Sequence, residues 1–130
     1  MHDFLTRYAP HKRSILRIVV SLIFLAHGTQ KILGFPASEF RPPAFSLFWT
    51  AGMIELIGGM LLLVGLLSRP VAFILSGQMA FAYWMAHAPS SPFPVLNGGD
   101  AAILYCFVFL YFVFAGPGPL SADARLGRDG

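Results

Sequence analysis

The run SILRIVVSLIFLAHGTQKILG, residues 14–34, decides how this chain folds. A helix that crosses a bilayer needs about 20 mostly apolar residues, at roughly 1.5 Å of rise each. This run has that length. It is entered through Arg7, Lys12 and Arg13, carries Arg17 near its start, and stops at Gly34-Phe35-Pro36. A basic region ahead of an apolar stretch is also the form of a secretory signal. No small-x-small cleavage site closes this one and further apolar runs follow it, so it reads as a retained span.

Three more runs repeat the pattern. The second covers 45–67, follows Pro42-Pro43, and carries a single charge, Glu55. Ser68-Arg69-Pro70 then reads as a tight turn, with Pro70 in the first turn of the third run, 71–88, where its missing N–H does no harm. Ala88-Pro89-Ser90-Ser91-Pro92 ends it. The fourth, 100–115, opens after Asn97-Gly98-Gly99 with Asp100 as a helix-start carboxylate and stops at Gly116-Pro117-Gly118-Pro119. The expected organisation is a basic cytoplasmic segment 1–13, a transmembrane domain 14–116 and a cytoplasmic tail 117–130. The expected fold is an all-α, integral membrane four-helix bundle.

Composition agrees with that reading. Of 130 residues 56% are apolar and only 12% charged, with a mean hydropathy of +0.68. A soluble domain carries about 25% charged residues, so this chain lacks the polar surface to stay in water alone. The few charges crowd towards the ends and leave long apolar interior runs, which excludes disorder, collagen and a soluble dinucleotide-binding unit. The net charge of +3 comes from basic residues at segment ends, which form no stripe for nucleic acid. The single cysteine, Cys106, permits no internal disulfide, C-x-x-C dithiol or cysteine-rich metal site, and reads as a small buried hydrophobe.

Orientation follows from where Lys and Arg fall. With both termini in the cytoplasm, that side holds Arg7, Lys12, Arg13, Arg17, Arg69, Arg125 and Arg128 and the other only Lys31 and Arg41, seven against two. Trp49 and Trp84 then lie near the outer ends of their helices, where indoles bridge lipid and water. The expected location is the inner (cytoplasmic) membrane, crossed several times, with the lipid bilayer as the first partner.

Ionisable groups inside lipid ask for a partner or a purpose. His27 and Lys31 are four apart with Gln30 beside them, on one face near the outer end of the first helix. Glu55 and Gln78 lie near mid-depth in the second and third, and His87, Asn97 and Asp100 return to the outer side. An outward-opening polar pocket keeps all of them off lipid. Lys31 can equally snorkel to the interface. Glu55 is too deep for that, and is protonated, paired with Lys31 or His27, or bonded to Gln78. His27 and His87 share a depth at which a b-type haem can be clasped, but two histidines without further spacing evidence do not make a haem site. Gly52, Gly58, Gly59, Gly65 and Gly77 read as close-packing positions between helices, and the rings from Tyr105 to Phe114 lie on more than one face, to meet lipid, the bundle and a flat ligand, with lipid-facing filler as the alternative.

In order and spacing, several motifs resemble one family. Arg17, His27-Gly28-Thr29-Gln30-Lys31, Gly34-Phe35, Glu55-Leu56-Ile57-Gly58-Gly59, Gly65-Leu66, Asn97-Gly98-Gly99-Asp100, Gly116-Pro117-Gly118 and Ser121-Ala122-Asp123 together resemble the DoxX family of small four-span membrane proteins. Asp100 stands where that family usually carries glutamate. The resemblance covers about Arg17 to Arg125 and implies electron transfer linked to quinones, since the family is named for a subunit of a terminal quinol oxidase and thiosulfate:quinone oxidoreductase system. Some relatives associate with redox-defence partners.

The expectation is therefore a membrane module or subunit of a quinone-linked redox system, binding a quinone or similar amphiphile in the outer half of the bundle. His27, Lys31 and Glu55 are the candidate catalytic proton donors or relays. Gln30, Gln78, His87, Asn97 and Asp100 are candidate ligand contacts, and no metal site is expected. With no flavin or nicotinamide fingerprint, electrons come from a redox partner protein, and a homo-oligomer is the other expected association. The alternative is a non-catalytic scaffold or assembly factor whose polar groups hold a partner protein. A transporter is disfavoured, because no inverted repeat or broken helix is evident.

Overall fold

The computed structural model of the chain describes residues 1–39 and 41–128, and shows helices and connecting turns without a strand among them. Helix α1 runs His2–Leu33, α2 Leu47–Val64, α3 Ser68–Ala82, α4 Pro94–Asn97, α5 Asp100–Ala115 and α6 Ala122–Arg125. A π-helical turn, Tyr83–His87, and a 3₁₀ turn, Ala88–Ser90, extend α3. The long helices alternate in direction, with α1 packed on α2, α2 on α3, and α3 on α5.

Two boundaries differ from the sequence expectation. Residues 2–13 continue α1 as helix with Pro10 inside it; the carbonyl that Pro10 deprives of a partner belongs to exposed Thr6, where solvent satisfies it. The break between α2 and α3 lies at Gly65–Leu67 and not at Ser68-Arg69-Pro70. Gly65 and Leu67 take left-handed φ values of 74° and 51°, and Ser68 is already helical. Residues 129 and 130 of the expected tail lie outside the described residues.

Along α1 and α2 much of the apolar surface lies outside, unlike that of a soluble protein's core helices. Along α1 the buried positions are Ser14, Arg17, Ser21, Phe24 and Gly28, spaced three and four apart on one face, whereas Ile15, Leu16, Val19, Leu22 and Ile23 are exposed. The buried face of α2 is Gly52, Glu55, Gly58, Gly59 and Leu62, with Ile54, Ile57 and Met60 outside. Helices α1 and α2 are long and apolar enough to cross a membrane, yet only 22% and 28% of their most apolar windows are buried within the protein. A core helix of a soluble fold hides such a surface. Here it is left for lipid, while the seams take small and polar residues. The central apolar cluster is Phe24, Leu62, Val71, Ala72, Leu75, Met79, Phe109 and Phe112.

Small residues set how near the helices come. A Cβ on Gly28 would stand 2.6 Å from the Leu56 amide nitrogen, so backbone faces backbone at the α1–α2 crossing. Gly52 meets Lys31 Cβ and Gly58 meets the Leu75 side chain, each at 2.8 Å from a Cβ built there. Gly77, expected as a packing position, has nothing within 4 Å: its helix turns that face outward, and close approach is not its role.

At the end of the molecule that carries the α2–α3 turn, a polar latch ties the chain together. Arg17, 1% exposed, donates to the Pro117 carbonyl, to Leu120 O at 2.7 Å and to Leu63 O at 3.4 Å. Ser14 Oγ donates to Pro117 O and accepts from Leu120 N, both at 3.1 Å. Asp123 accepts the first amides of α3, from Leu67 at 2.9 Å and Ser68 at 2.8 Å, and so caps that helix from a distant part of the chain. Arg69 closes α5 by donating to Val113 O and Phe114 O. Burial alone would raise the Asp123 carboxyl, but the Ser68 and Leu67 amides and the Arg128 charge outweigh it and hold it below the usual carboxylate range.

Two predictions follow from this packing. Gly28→Ala loses about 1–3 kcal/mol by forcing two backbones apart, whereas Gly77→Ala gains about 0.5–1 kcal/mol from helix propensity alone; thermal unfolding in mild detergent ranks the two. Asp123→Ala costs about 1–2 kcal/mol through the lost cap. Because the folded carboxyl is depressed, its contribution is fully present above the unfolded value, near 3.9, and is lost as pH falls through the lower folded value. Unfolding midpoints of wild type and Asp123→Ala therefore converge in acid and separate at neutral pH.

Candidate functional site

At the other end, the α1–α2 crossing carries an ion pair. Lys31 lies one turn beyond Gly28 and Glu55 sits against it on α2, so the close approach of the backbones sets the reach of their side chains. Lys31 Nζ donates to both Glu55 carboxylate oxygens at 2.9 Å. The two ends of the pair differ in environment: the Glu55 side chain is 4% exposed and that of Lys31 26%. Of the partners open to Glu55 from sequence, the geometry selects Lys31. Gln78 instead donates from Nε2 to Ala51 O at 3.1 Å, tying α3 to α2, and its Oε1 is buried with no hydrogen-bond partner among the described residues.

Two cavities meet at this pair. The larger, about 590 Å³, is a cleft between α2 and α3 lined by apolar side chains including Leu47, Ile54, Phe81 and Met85, with Lys31, Glu55, Gln78 and His87 as polar members. The smaller, about 310 Å³, lies among α1, α3 and α5 and includes His27, Tyr105, Gly98 and Met79. Lys31, Glu55, Ala82 and His87 belong to both walls, so the ion pair and His87 form the partition between them. His27 is exposed and meets the Tyr105 ring edge-on, with centroids 6.1 Å apart.

His87 reaches the partition because α3 ends in the π-helical turn, whose Ala88 amide bonds back to Tyr83 O, and Pro89 follows within the 3₁₀ turn, with no N–H to continue the α-helical ladder. Its Nδ1 lies 3.1 Å from Asn97 O. A carbonyl only accepts, so in this hydrogen bond Nδ1 carries a proton, and in the neutral imidazole Nε2 then holds the lone pair. Asn97 is buried and clamps the loop. Its Nδ2 donates to the Tyr83 hydroxyl and to Ser91 O, and its Oδ1 accepts from Gly99 N.

The candidate residues thus divide. His27, Lys31, Glu55, Gln78 and His87 line the cavities. Asn97 orients His87 and lines neither of the two; Asp100 is exposed in the first turn of α5; Gln30 turns toward the loop, with Nε2 donating to Ala37 O at 3.5 Å. Tyr105, facing the polar cavity, was read from sequence only as one of a run of rings. The 3.6-residue repeat that puts it one turn from Ala101 on the cavity face is the signal that could have found it. No group of three or more His, Cys, Asp or Glu side chains able to hold a metal occurs among the described residues.

The asymmetry of the pair gives a prediction. Lys31→Met leaves a carboxylate buried without a partner and costs about 3–5 kcal/mol, whereas Glu55→Gln leaves an ammonium that extends outward along its stem and costs less. Comparing the two variants by unfolding in detergent checks the order, and the double variant recovers part of the larger loss.

Residues 13–88, which hold the ion pair, Gln78 and His87, match the DoxX family model. An uncharacterized protein of Haemophilus influenzae is 43% identical over 127 residues, covering 93% of this chain and 95% of that relative. An uncharacterized membrane protein of Mycobacterium tuberculosis is 27% identical over 146 residues, covering 87% of this chain and 80% of its own. No solved structure matches the chain. With a family match across more than half its length and a full-length relative at that identity, the chain belongs to the DoxX family of membrane proteins.

Proposed function

We propose that this protein is a four-span inner-membrane module with both termini in the cytoplasm, and that it binds a quinone or a similar amphiphile in a quinone-linked redox system. The observation that carries the reading is the Lys31–Glu55 pair in the wall of a mainly apolar cleft of about 590 Å³, a size suited to a small organic ligand. The long helices alternate in direction, and the latch end collects Arg17, Arg69, Arg125 and Arg128, while Lys31 and the rings of Trp49 and exposed Trp84 belong to the opposite end. That distribution supports cytoplasmic termini by the positive-inside rule.

A quinone supplies two-electron, two-proton chemistry when bound, and the residues present suit its head group. Lys31 has three N–H donors; two are used on Glu55, and the third is available to a ligand oxygen. His87 Nε2 offers the complementary acceptor for a hydroxyl. Glu55 balances the Lys31 charge, so the site is neutral overall and a neutral head group enters without an uncompensated ion in lipid. On the far side of the pair, exposed His27 and Tyr105 line a cavity through which protons reach the partition. The chain's own residues hold the ligand and move protons, and electrons come from a partner protein.

Purification in mild detergent followed by mass spectrometry of extracted small molecules tests the reading. The expected result is a quinone at near one per chain, lost in Lys31→Ala and in Ala86→Trp, which narrows the cleft while keeping both members of the ion pair. Glu55→Gln is expected to lower quinone-linked turnover in membranes by tenfold or more at near-normal protein abundance. An empty cleft with a stoichiometric co-purifying protein would instead favour a scaffold.

A further inference from the structure

The α2–α3 cleft does not end at the head-group site. A second cavity of about 300 Å³ continues it along the same two helices, sharing Thr50, Ile54 and Ile74 with the first and extending to Leu61 and Val71. Its wall has no charged side chain: beyond Thr50 it is Met53, Ile57, Gly58 and aliphatic carbon. The slot exists because α2 and α3 pack more loosely than the α1–α2 and α3–α5 pairs; at Gly58 the Leu75 side chain packs directly on the bare α2 backbone, and the two line the slot together. From Ile54 to Leu61 it runs about 10 Å at 1.5 Å per residue, and its volume holds about ten groups of roughly 30 Å³.

These dimensions decide what fits. A helix is about 10 Å across and can only lie over such a slot, whereas an extended hydrocarbon chain fills it. Continuity with the polar site means that one molecule can occupy both. Resting on the head-group reading above, we propose that the ligand is a single-tailed amphiphile that enters sideways from the bilayer, with its head at Lys31, Glu55 and His87 and its tail along the α2–α3 slot from Ile54 to Leu61.

The tail is already in an apolar medium before it binds, so its gain is packing, and position is a better readout than affinity. The full chain in phosphatidylcholine nanodiscs is photolabelled with a quinone bearing a diazirine at the end of a two-isoprene tail, in parallel with a tail-less quinone carrying the diazirine on its ring. The expected result is tail labelling confined to residues 53–61 and 71–75, displaced by unlabelled tailed quinone but not by a headless alkane. Ile57→Trp, at an exposed slot residue, is expected to cut tail labelling at least fivefold and to leave ring labelling near Lys31 unchanged. Tail labels spread over α5 positions such as Phe107 and Phe114 would mean ordinary bilayer chains, and cross-links between two copies through Ile57 would mean a homodimer seam; either overturns the tail slot while ring labelling preserves the head-group site. Loss of ring labelling in wild type as well would overturn both.

Discussion

The approach of the α1 and α2 backbones at Gly28 sets the geometry on which the site depends. With no side chain at Gly28, the helix passes against the Glu55–Leu56 peptide, and one turn further along Lys31 reaches the Glu55 carboxylate with both oxygens in hydrogen-bond range. Any wider crossing would leave a buried carboxylate facing lipid, which has no hydrogen bonds to give. The pair then sorts the space around it. One side becomes an apolar cleft open along α2 and α3, and the other a smaller cavity bordered by His27 and Tyr105.

The opposite end works by the same rule with different groups. Helix ends leave carbonyls and amides without partners, and in lipid or at its edge these need protein partners. Arg17, Ser14 and Asp123 provide them for the 116–123 segment and the start of α3, and Arg69 provides them for the end of α5. The Gly-Pro-Gly stretch is therefore a folded element clasped by α1. It also accounts for Arg17, whose charge is buried against backbone carbonyls and not displayed at the surface.

Between the two ends, the contacts of α2 with α3 are the looser ones, and the continuous cleft lies there. Tight seams hold the polar groups in register, while the looser one leaves an open cleft. The π-helical turn at the end of α3 adds to this by carrying His87 to the partition, where Asn97 fixes its tautomer. That division of labour is consistent with a membrane module that keeps a rigid polar wall beside an accessible slot.

Much of the helical framework was legible in the sequence, because apolar runs bounded by charge, proline and glycine report the bilayer directly. The lone charge in the run 45–67 marked Glu55, and the i, i+4 spacing marked His27 and Lys31 as neighbours. The choice among Glu55's partners, the exclusion of Gln30 and Asp100 from the cavities, the open face of Gly77 and the burial of Arg17 were not legible. Periodicity fixes which residues share a face of one helix, but the crossing angle and separation of two helices depend on how their surfaces interlock. The sequence by itself determined the helices and their preference for lipid. Only the tertiary structure decided which polar groups meet, since that is set by the close approach of α1 and α2 at Gly28 and Gly52, between residues far apart in the chain.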